Sequence, residues 1–470
     1  MMSPDIPNEV LSHIFSFLLT GEQKHRICNE WSWIIDILPV RLVCRLWNDL
    51  AALHLFQTVP LWHSKNVIEK NFNSWHLLLE NDSIKTAARR VESGEWPGFV
   101  SAIDRICEMP NLNCLDIQFD LICAGRDRLE GNYAAEPVAI RNATEPAVTR
   151  RRTLEVIANA MRKRESRPNT RVICELTLEH LQDMAMPKDI TNNLLQNIQR
   201  LHIQFTYERR DFGAEEVYLP EKREFGLYLQ KTLLPTVSEQ LVELTLAGPE
   251  VKWGAIPGEF NGKGLSFPRL KKLTLEHYII LREDQFEWVL EQKSLASLHL
   301  HNCAIATHCL VLRPEFAYWG VNLLGWRRTA KLAYHPDEER PEGYSVPDTP
   351  QPGQLRTGWY RSDLRWDAVF DHIHQRLPGL QYFKFGRVGW TFFRDVEEIR
   401  EDEALCDRYY VFHQGWNSIV MEGWLRWRAA DKRLLGDSSK FEKVNEPADR
   451  QALDRLIRAA QERRGRSMRH

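Results

Sequence analysis

The amino-acid sequence predicts a mixed α/β protein in which a helical N-terminal unit precedes an irregular array of alternating helices and short parallel strands. Three features predict this arrangement. Two amphipathic helical stripes lie in about the first 60 of the 470 residues. A triplet of the form apolar-x-x-apolar-x-apolar then recurs seven times, and helical patterns precede five of its copies.

The first stripe begins at Pro7, which suits the first position of a helix because its missing N–H would have no partner there. Val10, Ile14 and Leu18 then recur on one face at helical spacing. The second stripe begins after Pro39 and carries its apolar residues on one side: Leu42, Val43, Leu46, Trp47 and Leu50. Short striped helices need a surface to cover them, and that surface belongs either to the rest of the same chain or to another protein.

The residues Ile6-Pro7-Asn8-Glu9-Val10-Leu11, followed by Leu42-Val43-Cys44-Arg45-Leu46-Trp47, resemble an F-box. That family binds the Skp adaptor of cullin-type (SCF) ubiquitin ligases, so the resemblance implies that the Skp adaptor and, through it, a cullin are partners. The connection over residues 20–38 is longer than the family's usual one. The implied adaptor-binding residues are Ile6, Pro7, Val10, Leu11, Ile14, Leu42, Val43 and Cys44.

The apolar triplets predict strands in the body of the chain. Leu176 and Leu201 are 25 residues apart, as are Leu273 and Leu298, and this interval is typical of short repeating units. Several such triplets would arise by chance in a chain of this length, so the helical patterns beside them carry the prediction. The triplets are Leu112, Leu115, Ile117; Ile173, Leu176, Leu178; Ile198, Leu201, Ile203; Leu241, Leu244, Leu246; Leu270, Leu273, Leu275; Leu295, Leu298, Leu300; and Leu380, Phe383, Phe385.

Residues 267–275 and 293–303 resemble leucine-rich repeats, a family that often turns with Asn or Cys where this chain has Asn302 and Cys303. The resemblance implies a solenoid whose concave face holds a protein target. Side chains that alternate with the triplets would lie on that face. They would either contact the target or simply be exposed to solvent. The predicted target-binding residues are Thr177, Glu179, His202, Gln204, Thr274, Glu276, His299 and His301.

These patterns divide the chain into four parts. Residues 1–60 are predicted to be the F-box-like adaptor-binding module and 61–94 a helical linker. Residues 95–430 form the leucine-rich-repeat-like array, and 431–470 a C-terminal helix with a basic tail. Residues 408–412 are predicted to be a further strand, and this region resembles the part that follows the repeats in fungal F-box proteins.

Three breaks in the array are predicted to be surface loops. Residues 125–149 are polar, 248–264 are rich in glycine, and 334–357 are acidic and rich in proline. The glycine-rich segment has no helical period, and loops of this length are either functional or spacers.

Composition excludes several classes of partner. The 62 basic and 64 acidic side chains give a net charge of -2, which provides no field for nucleic acid or for an anionic membrane. No apolar run is long enough to span a bilayer, and no secretory signal is visible. The nine cysteines include no Cys-x-x-Cys pair and are predicted to be reduced thiols of a cytoplasmic or nuclear protein.

The sequence contains no motif that indicates a catalytic residue, a metal or a cofactor. A phosphate-binding Gly-x-x-x-x-Gly-Lys, a His-Glu-x-x-His and a Gly-x-Ser-x-Gly are all absent. His299, His301 and Cys303 lie close together, but no further ligand with zinc-like spacing accompanies them.

The predicted function is therefore substrate recognition for a cullin-type ubiquitin ligase. The module would bind the adaptor, and the array would bind a protein target. Two alternatives remain at this point: an interaction scaffold without a role in ubiquitination, and an enzyme whose site is assembled from distant residues.

Overall fold

A computed structural model describes parts of the chain from Trp47 to Ser467 and covers most of them within the predicted array. The described residues are 47, 58–61, 90–93, 103–119, 123–124, 145–206, 220–248, 253–255, 259–311, 322–328, 358–386, 405–413, 424–426 and 446–467. Of the predicted F-box-like module only Trp47, which lies in a helix and is half-buried, and residues 58–60 are included.

The described chain is a mixed α/β fold with a large parallel sheet and several helices. The strands are β1 (Thr58–Leu61), β2 (Arg90–Ser93), β3 (Cys114–Gln118), β4 (Cys123–Ala124), β5 (Glu145–Pro146), β6 (Glu175–Gln182), β7 (Arg200–Thr206), β8 (Glu243–Ala247), β9 (Lys272–Glu276), β10 (Ile279–Ile280), β11 (Ser297–His301), β12 (Ala304–Val311), β13 (Arg327–Arg328), β14 (Gly358–Arg361), β15 (Tyr382–Gly386), β16 (Tyr409–His413) and β17 (Trp424–Arg426).

Helices are interspersed with these strands along the sequence, and the last helix follows the last strand. The helices with described bounds are α1 (Ala147–Glu165), α2 (Lys188–Leu195), α3 (Pro220–Tyr228), α4 (Leu234–Val237), α5 (Glu287–Leu290), α6 (Trp366–Arg376) and α7 (Glu446–Ser467). A π-helical turn, Leu229–Leu233, joins α3 to α4, and short 3-10 turns occupy Arg105–Glu108, Glu283–Phe286 and Leu405–Arg408. Among the described helices, none is both long and apolar enough to cross a bilayer.

The large sheet has nine strands in the order β1-β2-β3-β6-β7-β8-β9-β11-β15, and every neighbouring pair is parallel. The last two residues of each predicted triplet lie on one of its strands, so all seven predicted strands are confirmed. The pairing register places these residues side by side. One rung of the resulting ladder is Leu115, Leu176, Leu201, Leu244, Leu273, Leu298 and Phe383.

The helices pack on this ladder and form one buried cluster with it. Helix α1 contributes Leu154 and Ile157, and α6 contributes Phe370, which is fully buried. The mixed α/β class with parallel strands is thus confirmed, whereas the solenoid and the leucine-rich-repeat assignments stay predictions.

The sheet extends further toward the N terminus than the triplets indicate. Strands β1 and β2 lie in residues assigned above to the F-box-like module and to the helical linker. Neither strand carries a triplet. They join the sheet through parallel pairing of β1 with β2 and of β2 with β3.

The chain leaves the large sheet through a tight turn after each of two strands, β9 and β11. His277 follows β9 with φ 55 and Asn302 follows β11 with φ 50, a left-handed conformation that Asn adopts more readily than most residues. The predicted turn at Asn302 is therefore confirmed. Beyond these corners the chain enters a second, six-stranded sheet, in which β10 pairs with β12 and β12 pairs with both β14 and β16. Strand β16 confirms the strand predicted over residues 408–412.

The prediction of a surface loop over residues 248–264 is wrong for residues 253–255, 260 and 262, which are buried, whereas Lys263 and Gly264 are exposed. Trp253 is 8% exposed, and Phe260 is 2% exposed. The glycines are required by close packing: Gly254 (φ 97) lies against the ring of Tyr278, and Gly262 (φ 60) lies against the ring of Trp288. A Cβ at either position would overlap the aromatic ring, so these two positions are packed into the core.

The other two predicted loops are described only in part. Residues 145–149 belong to β5 and to the first turn of α1, so the first loop ends earlier than expected. Residues 334–357 lie outside the described residues.

Helix α7 confirms the C-terminal helix predicted within residues 431–470. Leu453 and Leu456 are buried, and the helix packs against α6 and β15. It continues to Ser467, so Arg463 is helical rather than part of a tail, and its guanidinium donates a hydrogen bond to the Leu377 carbonyl at 3.1 Å.

A buried hydrogen-bond network fixes α7 to the body of the protein. The hydroxyl of Tyr409 donates to one carboxylate oxygen of Asp449 at 2.7 Å, and the backbone N–H of Asp367 donates to the other at 3.0 Å. Burial raises the pKa of Asp449 to about 6, because the charged carboxylate loses more hydration than these two donors replace.

A second buried network joins the end of α1 to the segment before β3. The guanidinium of Arg164 is 2% exposed and donates to the carbonyl oxygens of Ile106 at 2.9 Å, Met109 at 2.6 Å, Leu112 at 2.9 Å and Arg171 at 2.9 Å. Burial lowers its pKa to about 10, so the side chain is still charged at neutral pH.

We expect Arg164→Met to lower the free energy of unfolding by about 3 kcal/mol or more, because several buried carbonyl oxygens would lose a charged hydrogen-bond donor. Urea denaturation of the full chain measures this loss. Arg162→Met, on the exposed side of the same helix, is the matched control and should change stability by less than about 0.5 kcal/mol. Equal effects of the two substitutions would contradict the role assigned to Arg164.

We expect the contribution of Asp449 to stability to fall as the pH rises from about 4 to about 6. The folded state binds the Asp449 proton more tightly than the unfolded state, so acid favours folding in this window. Asp449→Asn should flatten this part of the pH profile by about 1–2 kcal/mol, measured by urea denaturation across the window. Asp454→Asn, exposed on the same helix, should leave the slope unchanged.

Candidate protein-binding face

The side of the large sheet opposite the leucine ladder carries mostly polar side chains, and we call it the polar face. Its central row consists of one residue from each of seven neighbouring strands, paired in register. These residues are Asp116, Thr177, His202, Thr245, Thr274, His299 and Lys384. Asp116 is 2% exposed, while the other six are half-buried.

The structure brings most of the predicted target-binding residues together. Thr177, His202, Thr274 and His299 share the central row. A second row lies nearer the carboxyl ends of the strands. It consists of Gln204, Ala247, Glu276 and His301, and Ala247 joins Gln204 to Glu276.

Two predicted residues are less accessible than the prediction requires. Glu179 is 7% exposed and His301 is 6% exposed. Glu179 lies where the register of β6 and β7 shifts, next to His180 with φ 56, and His301 directly precedes the corner at Asn302. The accessible part of the predicted set is therefore the other six residues.

The imidazoles of the central row make short contacts with their neighbours, both across strands and within a strand. The Nδ1 atom of His202 lies 2.8 Å from the hydroxyl oxygen of Thr245. The Nε2 atom of His299 lies 3.1 Å from the hydroxyl oxygen of Ser297, and its ring centroid is 5.2 Å from that of Tyr382. These contacts hold the imidazoles in fixed orientations on the face.

The imidazole of His299 is neutral at physiological pH. Burial, followed by the nearby charges of His301, Lys272 and Lys384, lowers its pKa to about 3. His299 therefore offers a partner hydrogen-bonding nitrogens and a ring surface rather than a positive charge.

A third row, nearer the amino ends of the strands, alternates in charge. Arg200 Nε lies 2.9 Å from a carboxylate oxygen of Glu175, and Lys272 Nζ lies 3.5 Å from one of Glu243. Register also places Arg200 beside Glu243. Burial alone would lower the pKa of Arg200, but the hydrogen bond and charge of Glu175 raise it above its usual value.

This charged row was not predicted, although the sequence contains its signal. Each of its residues directly precedes the second member of a triplet, and the signs run Glu, Arg, Glu, Lys over four consecutive triplets. Cross-strand pairs of opposite charge stabilise a sheet in the corresponding register.

The trio His299, His301 and Cys303 does not form a metal site. The thiol of Cys303 is fully buried and donates to the Leu275 carbonyl at 3.3 Å, and burial raises its pKa to about 12. Within the described residues, no group of three or more His, Cys, Asp or Glu side chains could hold a metal ion.

The predicted adaptor-binding residues all lie outside the described residues, so comparison with known families bears on this end of the chain. A family model described as F-box-like matches residues 3–64. The chain carries an F-box-like domain. Such a domain is a protein-interaction module rather than a catalytic one, and it typically binds the Skp adaptor. A search of curated proteins finds no match to the chain.

We expect Arg200→Glu to destabilise the sheet by about 1 kcal/mol at low ionic strength, because it places three acidic side chains side by side. The loss should shrink at high salt, since these groups are partly exposed. Adding Glu175→Arg in the same chain should restore part of the stability, since position 200 would still lie beside Glu243; urea denaturation at both salt concentrations measures this. A double variant no more stable than Arg200→Glu would contradict the proposed pairing.

Proposed function

We propose that this chain is the substrate-recognition subunit of a cullin-type (SCF) E3 ubiquitin ligase. In this proposal the F-box-like domain binds the Skp adaptor and, through it, a cullin. The single observation that carries the proposal is the F-box-like match over residues 3–64, because such domains typically act as adaptor-docking modules.

We further propose that the large sheet and its helices form a leucine-rich-repeat-like solenoid. Three observations support this proposal. Strands β6, β7, β8 and β9 neighbour one another in sequence order, each pair is parallel, and the same position of the repeating pattern meets its equivalent across each pair. A quasi-repetitive array of this kind presents one continuous face to a partner.

The polar face is the proposed binding surface for a protein target. Its accessible residues offer hydroxyls, a neutral imidazole, an amide and charges of both signs, without an excess of either sign. This mixture suits a polar protein surface better than a polyanion, which requires clustered cations. In the central row, Thr274 lies between Thr245 and His299, at the middle of the accessible residues.

The proposed mechanism is positional. The adaptor end fixes the chain within the ligase, and the polar face holds the target, so that lysines of the target are kept near a ubiquitin-charged enzyme supplied by other subunits. The gain comes from effective concentration and orientation rather than from a catalytic residue of this chain.

A capture experiment with three forms of the full chain tests the two ends separately. Pro7→Ala combined with Leu11→Asp should abolish recovery of the Skp adaptor and the cullin, because an acid would replace an apolar contact. Thr274→Arg should leave both partners bound but reduce target recovery by roughly tenfold, because a long cation would separate the two surfaces. Quantitative mass spectrometry of the captured proteins measures both effects.

The matched control for the face is Thr274→Ser, which keeps the hydroxyl and should retain the targets. Captured targets should persist longer in cells that express either disruptive variant. Unchanged adaptor binding by the double variant would overturn the adaptor assignment. Targets that are captured but whose lifetimes do not change would favour the alternative, an interaction scaffold without a role in ubiquitination.

A further inference from the structure

A cavity of about 340 Å³ lies at the carboxyl edge of the large sheet, and none of the polar-face residues discussed above lines it. It is bounded by the first turn of α1 and by the segment that joins β6 to α2. Its walls are mostly apolar and include Val148, Leu154, Met184, Met186 and Ile190. This volume and this lining are typical of sites that bind small organic molecules.

The apolar wall opens to solvent rather than closing on itself. Val148 is 57% exposed, and Met184 and Met186 are half-buried. Methionine side chains are flexible and polarisable, so they adapt to apolar guests of different shape. The cavity therefore has both an entrance and a lining suited to a hydrocarbon chain.

Among the described residues, the charged groups that line the cavity all have one sign. They are Arg150 and Arg151. Arg150 is 3% exposed, and its position is fixed by a 2.6 Å hydrogen bond to the His180 carbonyl and by the ring of Phe119, whose centroid lies 5.3 Å away. A buried, oriented guanidinium is well suited to a carboxylate.

The first turns of two helices also lie at the cavity. Helix α1 begins at Ala147, and α2 begins after Pro187, and both of these residues line it. A helix N-terminus favours a negative charge nearby, so these two termini are compatible with the charge of the two arginines.

We propose that this cavity is a binding site for a small amphipathic carboxylate, with its hydrocarbon part against the methionines and its carboxylate beside Arg150 and Arg151. This site is separate from the adaptor-binding and target-binding surfaces proposed above, and its occupancy does not depend on either.

Binding of sodium decanoate to the full chain, below its micellar concentration, tests the proposal by calorimetry and by the shift in thermal midpoint. Decanoate should bind and raise the midpoint. The uncharged decanol should bind roughly tenfold more weakly, and the cationic decylamine more weakly still, because only decanoate complements the arginines.

Two pairs of variants locate the site. Val148→Trp should abolish decanoate binding by filling the entrance, whereas Val172→Trp, at an exposed valine that does not line the cavity, should not. Arg151→Glu should weaken decanoate roughly tenfold and leave decanol unchanged, whereas Arg152→Glu, at the exposed neighbour outside the cavity, should have little effect. All four positions are exposed, so the fold should tolerate each change.

Three results would overturn the proposal: equal affinity for decanoate and decanol, equal binding by Val148→Trp and Val172→Trp, or no decanoate binding by the folded wild-type chain. A fourth would do so as well, namely capture of a peptide with a C-terminal leucine by a chain that does not bind decanoate, since the cavity would then recognise a protein end.

Discussion

In-register parallel pairing is the constraint on which both faces of the large sheet depend. Because equivalent positions meet across each strand pair, a leucine in one strand extends the ladder of the next, and the residue beside it extends a row on the opposite face. A slip of one residue would turn leucines outward and press Arg200 or Glu243 against the helices. The buried core and the polar face are thus two results of the same pairing.

Strands that carry the apolar triplet could be predicted from the sequence because a local pattern and a regular interval both mark them. Strands β1 and β2 could not, since Thr58–Leu61 and Arg90–Ser93 owe their place to the neighbour with which they pair. The second sheet was missed for a related reason. Its strands β10 and β12 follow the corners at His277 and Asn302, and the sequence does not reveal that the chain changes direction there by entering another sheet.

The residues of the candidate sites also fall into those that a local sequence pattern predicts and those that depend on contacts between distant segments. Six of the predicted target-binding residues lie in accessible positions of the polar face because strand alternation alone decides which side they occupy. The burial of Glu179 depends on a register shift, which is a property of two strands together. The cavity beside α1 requires Val148 and Met186 to meet across a large sequence separation, and the core around Gly254 requires the ring of Tyr278. Contacts of this kind leave no local pattern to read.

The attachment of α7 has a consequence for biosynthesis. Leu453 and Leu456 complete a cluster that also contains Trp366, Phe370 and Tyr409. Asp449 accepts hydrogen bonds from Tyr409, 40 positions earlier, and from Asp367, 82 positions earlier. A nascent polypeptide that has reached β16 but not α7 therefore leaves those aromatic rings uncovered. Exposed apolar surface of this kind is what chaperones bind. A product terminated before residue 446 would keep that apolar surface exposed, and quality-control systems could recognise it.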